Sequence, residues 1–148
     1  MAQSLTQLYV HIIFHTKHVL IREREEGELY KYIGGIIKDL ESIPLMINGM
    51  NDHVHALCRV SKNIALSKLV EEIKKNSSRW IKSKDNHYRN FAWQGGYAGF
   101  SVSQSKLETV KQYIANQKEH HSKRSFKEEY IVFLQEYGIN YDEKYLWT

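Results

Sequence analysis

The sequence predicts one α+β domain that spans residues 1–148. The length and a hydrophobic content of 42% suit a single compact core. Apolar residues recur at every second position in some segments and at helical spacing in others, which indicates both strands and helices. The chain has a single proline and no Pro-, Ser- or Gln-rich stretch, so a linker-dominated or disordered protein is excluded.

The first 60 residues predict a strand, a helix and a β-hairpin. Apolar and other side chains alternate from Leu8 to His15, as in a strand with one face in the core. Apolar residues at helical spacing over 23–42 predict an amphipathic helix that ends before the single proline. Two short apolar runs, 45–50 and 53–60, flank Asn51-Asp52. These two residue types tolerate tight turns, so we expect a hairpin here.

The rest of the chain predicts a helix, a strand and further helices. An apolar helical stripe over 66–81 predicts the second helix, and residues 97–103, behind two glycines, predict the fourth strand. Ser105 with Glu108 three residues later is a capping-box pattern, which predicts that another helix begins there. A last helix is expected over 126–137. The order β-α-β-β-α-β is that of the ferredoxin-like fold, an antiparallel sheet with helices on one face, here extended by C-terminal helices.

Basic residues are concentrated around the second predicted helix. The chain has a net charge of +4, whereas residues 62–84 alone contain seven cations and two anions, a local net charge of +5. Such segregation suggests a surface that meets a polyanion. An ordinary solvated helix face explains the same pattern equally well. The cations that we expect to contact nucleic-acid phosphates here are Lys74, Lys75, Arg79 and Lys82.

No segment predicts a membrane span or a secretory signal. A span needs roughly 20 consecutive apolar residues, and the longest apolar stretch, 8–14, is interrupted by His11. No charged, apolar and small-residue signal pattern opens the chain. A lone cysteine, Cys58, cannot build a disulfide framework. We therefore expect a soluble protein with a cytoplasmic location and no membrane partner.

His53-Val54-His55 is the first candidate site. Successive side chains of a strand point to opposite faces, so both imidazoles project from one face with Cα atoms roughly 6.5–7 Å apart. Two such rings can converge on one metal ion, which then needs a third ligand from elsewhere. A His-x-His pair also arises by chance in a chain with eight histidines. Two surface histidines on a half-exposed strand are therefore the plain alternative.

Tyr113 and Gln117 form the second candidate site. They are four residues apart, so they share one face of the helix predicted to follow Ser105. The tyrosine hydroxyl should be accessible, and the Gln117 carbonyl oxygen can complete a mixed nitrogen and oxygen metal site. Lys111 and Lys118 nearby favour an anionic substrate. The alternative is that Tyr113 packs at the helix boundary with only its tip in solvent.

Three separated motifs resemble one protein family. They are the His53–His55 strand, Phe-Ala-Trp-Gln-Gly-Gly-Tyr at 91–97 leading into Phe-Ser-Val-Ser at 100–103, and Tyr-Ile-Ala-Asn-Gln at 113–117. In this order they are similar to the single-tyrosine HUH transposases of small insertion sequences, including relatives associated with repetitive extragenic palindromes. The resemblance covers nearly the whole chain. It implies a palm-like, ferredoxin-related fold, a homodimer, and cleavage and rejoining of single-stranded DNA near imperfect hairpins.

The resemblance also implies roles for individual residues. His53 and His55 would be paired ligands of a divalent ion, magnesium or manganese, with Gln117 as third ligand and His120 as an alternative to it. Imidazole ligands favour manganese, whereas magnesium is more available in cells. Tyr113 would be the nucleophile that forms a 5′-phosphotyrosine link and leaves a 3′-hydroxyl. In related proteins the tyrosine helix packs against the partner subunit, which implies an active site shared between two chains.

One position departs from the family pattern. Family members commonly follow the first strand with a Lys-Tyr-Arg-like stretch, whereas here Lys17 is followed by His18, Val19 and Leu20. Lys17 is the DNA contact that the resemblance implies at this point.

Two other functions fit part of the pattern. A non-catalytic, single-stranded nucleic-acid-binding protein of ferredoxin-like fold would stack bases on sheet residues such as Tyr9. A metal-dependent hydrolase would use the histidines and leave Tyr113 as a packing residue. A covalent link between protein and DNA separates the transposase from both.

Overall fold

A four-stranded antiparallel sheet with the order β2-β3-β1-β4 organises the protein. The computed structural model describes residues 2–147. Its strands are β1 (Leu8–His15), β2 (Ile43–Gly49), β3 (His53–Val60) and β4 (Ala98–Val102), and its helices are α1 (Glu23–Asp39), α2 (Leu66–Lys82), α3 (Leu107–Ala115), α4 (Gln117–His120), α5 (Phe126–Glu136) and α6 (Glu143–Leu146). Short 3₁₀ turns lie at Asn86–Tyr88 and Gln104–Lys106. This order and topology confirm the predicted ferredoxin-like fold.

The two faces of the sheet are covered by different helices. On one face, Ile12 and Phe14 of β1 and Val54 of β3 pack with apolar residues of α1 and α2. On the other face, Ile13 of β1 and Phe100 of β4 pack with α5. The prediction that β1 buries only one face is therefore wrong, because the C-terminal helices cover the second face.

The hairpin between β2 and β3 delivers the His-x-His segment to the sheet centre. β3 lies between β2 and β1, and the Met50 amide donates to the His53 carbonyl, 3.1 Å away, to close the turn. A Cβ on Gly49 would lie 2.1 Å from the His53 carbonyl oxygen, so only glycine fits there. Pro44 is tolerated because β2 is an edge strand, and a register shift follows it.

The region after β4 differs from its prediction at two points. Ser105 lies inside a 3₁₀ turn and its hydroxyl contacts Ser103 at 3.1 Å, so it does not cap α3. The helix predicted to carry both Tyr113 and Gln117 is interrupted at Asn116, which separates α3 from α4. The serine cap occurs instead at Ser125, whose hydroxyl accepts the Glu128 amide and begins α5.

Within residues 2–147, none of the helices combines the length and the apolar character that crossing a bilayer requires.

Candidate active site

Strand β3 places both imidazoles of the His-x-His segment under the C-terminal helices. His53 and His55 are each 0% exposed. Val54 and Ala56 point to the opposite face and pack in the core with α1 and α2. The alternation expected of a strand therefore holds, whereas the alternative of two surface histidines is wrong.

The Nδ1 atom of each imidazole, which points away from the site, contacts a neighbouring side chain. His53 Nδ1 lies 2.7 Å from Asp52 Oδ1, and a carboxylate there accepts the Nδ1 hydrogen. His55 Nδ1 lies 2.7 Å from Nε2 of the buried His11. With Nδ1 engaged on both rings, each Nε2 points into the site.

Glu129 of α5 lies at the centre of the site, and the sequence reasoning missed it. Its Oε1 is 3.1 Å from His55 Nε2, 3.1 Å from His121 Nε2 and 3.5 Å from His53 Nε2. Its Oε2 accepts hydrogen bonds from the Tyr113 hydroxyl and the Gln117 amide. One buried carboxylate thus joins the histidines to the tyrosine.

Gln117 is fully buried beside the imidazoles. Its Oε1 lies 3.0 Å from His53 Nε2 and 3.1 Å from His121 Nε2. His120, the alternative ligand, instead stacks on the Tyr113 ring with centroids 4.5 Å apart, and its buried Nε2 has no hydrogen-bond partner within residues 2–147. His121 rather than His120 joins the group.

Aromatic side chains of α5 cover the imidazoles. Phe126 stacks on His53 with ring centroids 4.3 Å apart. Phe133 packs edge-on against His11 and Tyr113, with centroid distances of 5.3 and 5.5 Å. Tyr113 is half-buried and lines a cavity together with His121 and Glu129, and its hydroxyl is bonded to Glu129.

Burial and hydrogen bonding set the charges in the site. Burial lowers the pKa of His55 to about 4, which favours a neutral imidazole. Burial alone would raise the pKa of the Glu129 carboxyl, but hydrogen bonds with His121, His53 and His55 hold it below its usual range. Burial, and then the bond to Glu129, raises the pKa of Tyr113. The tyrosine is therefore a neutral phenol here.

The cations predicted on α2 to contact DNA do not converge on this site. The predicted DNA-contacting cations that are exposed are Lys17, Lys75, Arg79 and Lys82. Lys75 forms an ion pair with Glu72 at 3.0 Å, and Lys74 donates to the Gln94 carbonyl at 2.9 Å. Helix α2 packs on the face of the sheet opposite the imidazoles.

Four residues of the site were not singled out from the sequence as chemical groups: His11, Asp52, His121 and Glu129. Asp52 directly precedes the His-x-His segment, but its place between two apolar runs predicts only a turn residue. His121 follows Gln117 by four positions, which is a weak helical signal. Glu129 carries no local signal, because its approach depends on how α5 docks.

The donor set suits a divalent ion. Ligand atoms of His53, His55, His121 and Glu129 all lie within 4.8 Å of one another. Imidazole nitrogens and a carboxylate oxygen are a common ligand combination for such ions. In metal-binding histidines the second ring nitrogen is typically hydrogen-bonded to a neighbouring group, as Nδ1 of His53 and His55 is here.

Comparison with known proteins points to one family. A family described as "Transposase IS200 like" matches residues 4–117. A candidate transposase from Deinococcus radiodurans R1 is similar in structure, with 24% identity, a TM-score of 0.60, and 79% of this chain and 98% of that chain covered. A REP-associated tyrosine transposase bound to a REP hairpin is similar at 14% identity and a TM-score of 0.56, covering 82% of this chain and 74% of that chain. No curated protein matches the chain. The family match spans well over half of the sequence, so the chain belongs to the IS200-like transposase family.

Proposed function

We propose that this transposase cleaves and rejoins single-stranded DNA near hairpins, with Tyr113 as nucleophile and a divalent ion at His53 and His55. One observation carries the proposal. The Tyr113 hydroxyl and the two imidazoles meet at the same carboxylate, that of Glu129, in one buried site. A tyrosine beside a metal-binding group is the arrangement that covalent phosphoryl transfer needs.

The proposed ligands of the ion are His53, His55 and Gln117, which supply two imidazole nitrogens and an amide oxygen. Magnesium or manganese would act at this site as a Lewis acid on a phosphate oxygen. Asp52 and His11 orient the two imidazoles from behind. The contact of 3.0 Å between Gln117 Oε1 and His53 Nε2 supports Gln117 as a member of this group.

The tyrosine step exchanges one phosphate ester for another. The Tyr113 oxygen attacks the scissile phosphorus, the bond from tyrosine oxygen to phosphorus forms, and the bond from phosphorus to the 3′ oxygen breaks. The tyrosine proton passes to a base, and the departing 3′ oxygen takes a proton from water. The reverse attack by a 3′-hydroxyl reseals the strand and frees the tyrosine. Because one phosphate ester replaces another, no nucleotide energy source is needed.

The two strand imidazoles must be uncovered before a phosphate reaches them. His53 and His55 are 0% exposed, so a phosphate cannot approach them while α5 lies in place. Glu129 also keeps the Tyr113 hydroxyl bonded and raises its pKa. Displacement of α5 would both expose the imidazoles and release the nucleophile.

The hairpin is the proposed substrate because a structural neighbour is described as bound to a REP hairpin. Lys17, Lys75, Arg79 and Lys82 are proposed to contact phosphates, with Lys74 closer to a structural role because it donates to loop carbonyls. Phosphate contacts position the nucleic acid, whereas base contacts select the sequence.

We propose a homodimer, whose active sites are either shared between subunits, as the family resemblance implies, or assembled within one chain. The groups of the site can also meet within one chain, since Asn48 donates to the Ile114 carbonyl and holds α3 against β2. Co-purified dimers of a His55→Ala chain with a Tyr113→Phe chain distinguish the two arrangements. Recovered activity supports sharing, and no recovery contradicts it.

A non-catalytic binder that stacks bases on the sheet would need an exposed sheet face, and in this fold that face is covered. The sheet face that would meet bases carries His11, His53 and His55, and all three are buried under the C-terminal helices.

A covalent-trapping assay tests the proposal. Wild-type protein, a pool of single-stranded hairpin oligonucleotides, and manganese or magnesium are combined and run on a denaturing gel. We expect an adduct with the wild type, none with Tyr113→Phe, and none after chelation. Tyr141→Phe is the matched control, since Tyr141 lies outside the site and is 36% exposed. An adduct that persists in Tyr113→Phe contradicts the assigned nucleophile.

A further inference from the structure

We propose that His121 and Glu129 complete, with His53 and His55, a closed four-ligand centre for a first-row transition ion, with zinc as the best fit. This inference deepens the proposed function, because it concerns the same two imidazoles. Its two new ligands lie beyond residue 117, where the family match ends. The C-terminal segment of this chain therefore supplies half of the donor set.

The distances suit a tetrahedral ion. With metal–ligand distances of about 2.0–2.1 Å, neighbouring ligand atoms of a tetrahedron lie about 3.3 Å apart. Glu129 Oε1 lies 3.1 Å from His55 Nε2, 3.1 Å from His121 Nε2 and 3.5 Å from His53 Nε2. Three of the six edges of the tetrahedron are thus already near their required length. All four ligand atoms also lie within 4.8 Å of one another.

The burial and orientation of the ligands indicate a built site. His53 and His55 are 0% exposed and Glu129 is 2% exposed. The Nδ1 atoms of both strand histidines are occupied by Asp52 and His11, which directs Nε2 toward the shared centre. Such outer contacts orient metal-binding histidines and increase their basicity.

The donor types select the ion. Three imidazole nitrogens and one carboxylate oxygen suit zinc and its neighbours in the first transition row. Magnesium prefers oxygen ligands and retains several waters, which a buried site with three nitrogens does not provide. The centre should therefore prefer zinc over magnesium.

Glu129 rather than Gln117 supplies the oxygen ligand in this closed form. The Gln117 amide donates to Glu129 Oε2 at 3.1 Å, while Glu129 Oε1 faces the histidines. Four protein ligands leave no open coordination position, as in structural zinc sites. The ion would connect β3 to α5 and hold α5 over the imidazoles.

Zinc titration of the metal-free full chain, against a competing chelator and without DNA, tests this centre. Loss of a contact outside the ligand set already lowers metal affinity by about 10- to 100-fold. We therefore expect Glu129→Gln and His121→Gln each to weaken zinc binding by at least about 100-fold. Glu136→Gln on the exposed side of α5 and His120→Gln next to His121 are the matched controls, and both should bind zinc as the wild type does.

Cobalt substitution provides a readout that needs no variant. An intense visible absorption band, typical of tetrahedral cobalt, supports the four-ligand centre, and weak octahedral bands contradict it. Equal zinc affinity of wild type, Glu129→Gln and His121→Gln, or magnesium binding as tight as zinc binding, also overturns the inference. Because no DNA is present, failed strand cleavage and a failed metal centre remain separate results.

Discussion

The two faces of the sheet bury side chains of opposite character. On the face covered by α1 and α2, the core of β1 and β3 is aliphatic and aromatic. On the face covered by α5, the same strands bury His11, His53 and His55. Burial of apolar groups stabilises a fold, whereas burial of imidazoles costs free energy unless each finds a partner. The first face therefore stabilises the fold, and the second carries the candidate active site.

Two substitutions in β3, one on each face of the sheet, test this difference most strongly. His55→Ala removes a proposed metal ligand and should abolish the DNA adduct, while leaving the fold intact at a cost of about 1–3 kcal/mol for unsatisfied neighbours. Cys58→Ala lies three residues away on the opposite face, where Cys58 is buried in the apolar core. It should cost about 1 kcal/mol and keep the adduct. Trapping gels and urea unfolding measure both effects, and adduct formation by His55→Ala contradicts the assignment.

The apolar face should dominate stability. Phe14 is 0% exposed and packs edge-on against Trp93 with ring centroids 4.7 Å apart. Phe14→Ala should lower the free energy of unfolding by about 3–5 kcal/mol, because it leaves a cavity. Urea denaturation measures the loss. Leu5→Ala, at a residue 84% exposed, is the control and should change little. Equal stability of the two variants would show that this face is not the stabilising core.

The Asp52 carboxylate, which contacts His53 Nδ1, should affect the metal affinity of the site and change the stability of the fold only slightly. Asp52 Oδ1 lies 2.7 Å from His53 Nδ1, and its side chain is 42% exposed. Asp52→Asn should weaken binding of manganese or zinc by about 10- to 100-fold, because the amide supports the required ring orientation less well. Calorimetric titration measures the change. Unaltered affinity would mean that Asp52 is only a turn residue.

Acid should destabilise the imidazole face through His15. Burial, and then Lys74, lowers the pKa of His15 to about 4, although Asp52 opposes this shift. The unfolded chain binds this proton below a pKa of about 6.5 and the folded chain only below about 4, so this contribution to stability is lost as pH falls through that interval. His15→Phe should therefore reduce the drop in the urea midpoint between pH 7 and pH 5. An identical drop in the variant contradicts the role of His15.

The smallest expected effect concerns a single surface cation. Arg79→Ala should weaken binding of hairpins of every sequence to a similar extent. It should also reduce the slope of log affinity against log salt concentration by about one. Lys38→Ala on α1 removes the same charge from another exposed position and is the control. Fluorescence anisotropy at several salt concentrations measures the slopes. Equal slopes for Arg79→Ala and wild type would remove α2 from the DNA-binding surface.

The sequence predicted those features that depend on neighbours in the chain. Alternation placed His53 and His55 on one face of a strand, and turn chemistry placed the hairpin before them. Helix boundaries were less accurate, since Ser105 does not cap α3, which begins after Lys106 without a side-chain cap. Residue type alone does not show which serine has extended backbone ahead of a helix.

Contacts between distant segments were beyond reach. Glu129 is separated from His55 by 74 positions, and it enters the site only because α5 docks on the second face of the sheet. The alternating pattern of a strand does not show that a later helix will cover the second face of that strand.

Peptide mapping of the trapped protein–DNA adduct identifies the nucleophile directly. Trypsin releases residues 112–118, a peptide in which Tyr113 is the one tyrosine. We expect this peptide to carry the nucleotide after nuclease trimming, and only when a divalent ion was present. A nucleotide on a different tyrosine, or none under conditions where the hairpin is bound and cut, would contradict this expectation.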